Sequence, residues 1–93
     1  MARIILPETF DRGAAQALVE EFNTAMRDGS SIVVDASAVE RIGQAGLQLL
    51  LSAQKSARLS EITLAIKDPS DVLTEAAALT GLSSHLFPIA ALA

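Results

Sequence analysis

Residues 31–59 constrain this chain more than any other stretch. They open on the β-branched run Ile32-Val33-Val34, which ends at Asp35. Apolar residues at successive positions predict a strand buried in the middle of a parallel sheet. From Gln44 to about Leu59 the period changes, and Leu47, Leu50, Leu51 and Ala57 predict the apolar side of an amphipathic helix. Gly43 and Gly46 bracket the turn between strand and helix. Glycine lets backbone approach a partner closely, and the first amides of a helix have no acceptor within it. Strand, turn and outward-facing helix start therefore form a surface that another molecule can read.

The flanking segments repeat the alternation. Ile4-Ile5-Leu6 predicts a first or edge strand stopped by Pro7, and Pro7 to Phe10 bridges to a helix capped by Asp11. Ala15, Leu18, Val19, Phe22 and Met26 form its apolar stripe, Glu20, Glu21 and Asn23 point away, and Gly29 ends it. Ala36 to Ile42 is read as connector. Lys55 and Arg58 complement the dipole at the end of the second helix. Glu61 to Ile66 predicts a strand with Ile62, Leu64 and Ile66 on one face. A third helix follows, capped by either Asp68 or Ser70, with Val72, Leu73, Ala76, Ala77 and Leu79 as its buried side. Gly81-Leu82 stops it, Leu86 to Ile89 either adds a short strand or covers the core, and the Ala-rich end frays. The expected fold is α/β: one domain over residues 1–93, with a small, mostly parallel sheet and alternating helices. Right-handed crossovers then leave the strand-to-helix loops along one sheet edge, where ligands usually bind, and the turn at residues 43–46 lies there.

Composition narrows the chemistry. Apolar residues make up 51% of the 93 and charged residues 19%, which argues for a packed core rather than disorder. The only aromatics are three Phe, so aliphatics and alanine must fill that core. With no cysteine there is no disulfide, thiolate metal site or nucleophilic thiol. A net charge of −4 with scattered basic residues opposes nucleic-acid binding. No apolar run reaches the ~18 residues of a membrane span, and the N-terminal apolar run is too short for a secretory signal. These features predict a cytoplasmic location. His85, the lone histidine, has no carboxylate near it in sequence and reads as a surface or helix-end residue. Asp35 lacks the second acidic cluster that a magnesium-dependent phosphoacceptor needs, and is expected to hydrogen-bond the connector through Ser37 or backbone amides. Gly43-x-x-Gly46 is neither a P-loop nor a dinucleotide fingerprint. No catalytic residue, metal site or cofactor is expected.

One resemblance rests on particular residues. Val34-Asp35-Ala36-Ser37, Val39 and the run Ile42 to Leu51 resemble the signature of STAS domains, the anti-sigma-factor-antagonist family. The order of elements on both sides agrees over nearly the whole chain. The resemblance implies a non-enzymatic regulator that binds a histidine-kinase-type ATPase until its Ser at the start of the second helix is phosphorylated. A phosphate there adds about −1.5 to −2 charges to a packed contact. This chain departs from the pattern at that point: Gly43 stands for Asp, Gln44 for the phosphorylatable Ser, and Ala45 for the second hydroxyl. Gln44 is therefore expected to mimic the unmodified surface, with Ser37 or Ser52 left as other possible modification sites. The implied partner-binding residues are Glu40, Arg41, Gly43, Gln44, Ala45, Gly46, Leu47 and Gln48. Arg41 to Ala53 is most similar to members that act with the chemotaxis histidine kinase. The alternative is the cytoplasmic STAS subunit of a phospholipid-transport ABC complex.

Overall fold

The central strand is where the β-branched run places it. In a computed structural model that describes residues 1–87, β1 (Ala2–Ile5), β3 (Ile32–Asp35) and β5 (Leu64–Lys67) form a parallel sheet in the order β1-β3-β5. A second, two-stranded parallel sheet joins β2 (Thr9–Phe10) to β4 (Arg41–Ile42). The helices are α1 (Arg12–Asp28), α2 (Gln44–Leu59), α3 (Asp71–Leu79) and the single turn α4 (Ser83–Leu86). Moving one strand over in the same direction twice, through right-handed crossovers, puts α1 and α2 on the same face of the sheet.

That face is the core. Ile4, Val34 and Ile66 lie side by side in register, as do Ala2, Ile32 and Leu64. All but Ala2 are buried against Phe22, Leu50, Ala53 and Ala57 of the helices. Burying each large aliphatic contributes about 1.5–3 kcal/mol. Alanines at 15, 25, 53, 57 and 77 let the helices lie close. The opposite face carries Arg3, Ile5, Val33, Asp35, Ala65 and Lys67, with Ile5 61% exposed and Val33 half-buried. The run Ile32-Val33-Val34 is thus central in the sheet but fully covered on one side only.

Helix ends follow local chemistry. The Asp11 side chain accepts the Ala14 amide at 3.0 Å, and Gly29 closes α1 in the left-handed region. Ser70, not Asp68, caps α3 by accepting from the Leu73 amide. Gly81, at φ 73°, ends α3 in a Schellman motif, with the Leu82 amide on the Ala77 carbonyl at 2.8 Å.

Several apolar positions fall differently from the pattern. Val72 and Leu79 are exposed, leaving Leu73 and Ala77 as the buried side of α3. At ~100° per residue both sit some 100–120° away from Leu73, beyond a narrow stripe. In α1 the buried residues are Ala15, Phe22 and Ala25, with Val19 exposed. In α2 Ala53 is buried and Leu51 only half-buried. β5 begins at Leu64 instead of Glu61, because Glu61 turns left-handed at φ 58° and Ile62 closes back on the Ala57 carbonyl. Of the two alternatives for Leu86 to Ile89, Leu86 takes the second: it covers the core, from within α4. Residues 88–89 of that segment, and the Ala-rich end, lie outside the described residues.

Candidate partner-docking site

The start of α2 is built by contacts from distant parts of the chain. The Glu8 carbonyl accepts the amides of both Glu40 and Arg41, at 2.8 and 2.9 Å. Phe10 pairs with Ile42, and the Phe10 carbonyl then accepts the Gly43 amide at 3.1 Å. This small β2–β4 ladder seats the turn on the loop that precedes α1. Reading Pro7 to Phe10 as a bridge and Ala36 to Ile42 as a connector missed it. The only signal was a single apolar residue, Phe10 or Ile42, at the close of each.

The two glycines of the turn have different tasks. A Cβ on Gly46 would lie 2.7 Å from the Phe10 carbonyl oxygen and 3.0 Å from its ring, so only glycine lets α2 cross there. Gly43 has an ordinary extended backbone, φ −100° and ψ 175°, and a Cβ on it would meet nothing within 4 Å. Its small size leaves open space outside the molecule instead of serving an internal contact.

The eight residues singled out above divide by burial. Glu40, Arg41, Gly43, Gln44 and Gln48 are exposed, and Ala45 is half-buried. Gly46 and Leu47 are buried and anchor the helix start from inside. Among the described residues no side chain caps α2, so its first amides lack a side-chain acceptor. Beyond Ala45 the surface continues into a shallow hollow of ≈ 300 Å³ between α1 and α2, lined in part by Arg12, Gln16, Val19, Gln48, Leu49 and Ser52. The α1 contribution was not visible in the sequence, because Val19 was assigned to the core.

Asp35 has the structural role expected of it. Its Oδ1 accepts both the Ser37 hydroxyl, at 2.7 Å, and the Ser37 amide, at 3.0 Å. The Ser37 hydroxyl, its amide and then the Arg3 guanidinium at 3.2 Å hold the carboxyl below the usual carboxylate range. His85 is exposed in α4. Among the described residues, no group of three or more His, Cys, Asp and Glu could hold a metal ion.

A family model described as "Mlab, STAS domain" matches residues 2–88. The chain belongs to the STAS domain family. STAS domains are protein-interaction modules associated with anti-sigma-factor antagonism, and they are generally not enzymes. A search of curated proteins gave no match. No helix of this STAS domain is long and apolar enough to cross a membrane, among the described residues.

Proposed function

We propose that this chain is a non-enzymatic, cytoplasmic regulator of bacterial signalling that docks through the front of α2 onto a histidine-kinase-type partner, chemotaxis-linked or an anti-sigma kinase. The observation that carries this reading is the exposed, neutral Gln44 at the first turn of α2, in a family of interaction modules. Gly43, Ala45 and Gly46 around it offer no hydroxyl, so a kinase has nothing to phosphorylate there. The docking surface stays in its unmodified form, and control passes to expression or to the state of the partner. Glu40, Arg41, Gly43, Gln44 and Gln48 supply the contacts, and the hollow beside Ala45 extends them over α1. Ser37 is a poor alternative modification site, since its hydroxyl is engaged by Asp35, whereas Ser52 is exposed.

A second reading is favoured by one word, Mlab, in the family description. In it the same patch seats on the ATPase subunit of a phospholipid-transport ABC complex. Capture of partners from the native cell separates the two, by yielding a histidine kinase or a transporter ATPase. Incubation with the captured kinase and ATP, followed by mass spectrometry, is expected to leave residues 43–48 unmodified. Stoichiometric phosphate in that segment would overturn the assignment of Gln44.

A further inference from the structure

A second surface, which shares no residue with the α2 tip, has an unfinished hydrogen-bond ladder. β1 is the outer strand of the three-stranded sheet, and among the described residues nothing pairs with its far side. The Ala2 amide donates to the Ser31 carbonyl and the Leu6 amide to the Asp35 carbonyl, so the even-numbered residues of this strand face β3. By alternation, the amides and carbonyls of Arg3 and Ile5 face outward. An exposed row of this kind is a template for an added strand.

Beside that edge lies an open groove of ≈ 420 Å³, floored by Ala2, Ile4 and Ala25 and flanked on α1 by Glu20, Glu21, Thr24 and Asp28. Two guanidinium groups are near. Arg3 also lines the groove, with its guanidinium paired to Asp35, and Arg27 donates to the hydroxyl of the groove-lining Thr24 at 3.3 Å. Three carboxylates, of Glu20, Glu21 and Asp28, stand against these two along the ledge.

We propose that the outer edge of β1 takes up an extended, basic peptide segment of a partner protein as an additional strand. The backbone of the segment completes the bonds of Arg3 and Ile5, a small or aliphatic side chain sits over Ala25, and lysines or arginines reach Glu20, Glu21 and Asp28. Charge selects this occupant over a second copy of the chain. Pairing β1 with itself across a two-fold axis brings two sets of these same carboxylates face to face, which is unfavourable.

The test titrates the ¹⁵N-labelled chain with a blocked peptide in which Lys and Val alternate at every second position with Ser between them, so that both kinds of side chain face α1. The Arg3 and Ile5 amides should shift and gain protection from exchange, while those of residues 43–48 stay in place. The double variant Glu20→Lys with Glu21→Lys, both sites being exposed, should keep its melting temperature and weaken binding roughly tenfold. N-methylation of consecutive residues in the middle of the peptide should abolish binding by removing the ladder donors, whichever way the strand runs. Equal binding of the N-methylated peptide, or of a peptide with Glu in place of Lys, would overturn the proposal. So would sedimentation of the free chain as a dimer with the Arg3 and Ile5 amides already protected.

Discussion

The two ends of α2 are finished in opposite ways. At its C-terminal end the carbonyls of Ala57 and Arg58 accept the amides of Ile62 and Glu61, at 2.8 and 3.2 Å, in a Schellman closure. That closure needs a left-handed residue, and this chain supplies Glu61 at φ 58° where α3 uses Gly81 at φ 73°. At its N-terminal end no described side chain caps the helix, and Gly43, Gln44 and Gln48 stand in solvent. One end is closed at the cost of backbone strain in a charged residue, while the other is left without even the common Ser or Asp cap. Polar groups unpaired within the fold are tolerable where water, or a docking protein, can pair them.

The sharpest way to break this contrast is to damage the inner side of the open end. Gly46→Val drives a branched side chain into the Phe10 backbone, and we expect a loss of about 3 kcal/mol in chemical denaturation. An unchanged midpoint would mean that α2 does not seat on Phe10. On the outer side, Gln44→Glu should weaken partner binding by about 2 kcal/mol, measured by calorimetry, by placing a charge in a desolvated contact. The same carboxylate sits at a helix N-terminus and should leave stability unchanged or raise it by ~0.3–1 kcal/mol. Losing both properties together would show that Gln44 supports the fold rather than the contact.

At the closed end, Glu61→Gly should relieve the left-handed strain and stabilise the chain by about 1 kcal/mol, raising its melting temperature by roughly 4–8 °C. No rise would show that Glu61 occupies that conformation without strain. The smallest effect is expected for Gly43→Ser, which supplies the missing cap on a backbone that already suits it: a gain of a few tenths of a kcal/mol by thermal melt. Binding is the informative readout for that variant. A partner that packs against Gly43 should bind the serine form less well, and unaltered affinity would put the contact elsewhere.

Much of the fold was legible because its signals are local. Asp11, Gly29 and Gly81 mark helix ends by their own backbone and side-chain chemistry, and the Ile32-Val33-Val34 run marks the central strand. Around the start of α2 the sequence did not divide inside from outside. Gly43 and Gly46 look alike in sequence, yet one borders open space and the other meets Phe10. Leu47 and Gln48 are adjacent, and only the direction of the helix makes one an anchor and the other a surface. Apolar residues at the margins of a stripe, such as Val19, Val72 and Leu79, were misplaced for a related reason. Periodicity states which residues share a side, not how wide a strip the neighbouring element covers.

By itself the sequence determined the order of the three strands of the main sheet and the three long helices, the Asp11 cap, the stops at Gly29 and Gly81, and the absence of a hydroxyl at the front of α2. Each of these depends on residues a few positions apart. Tertiary structure alone decided that Phe10 pairs with Ile42 and meets Gly46, that α1 borders the hollow beside Ala45, and that no described residue pairs with the outer edge of β1. Those outcomes require segments far apart in the chain to meet at fixed distances. No local preference specifies such meetings, because they follow from packing every buried side chain at once.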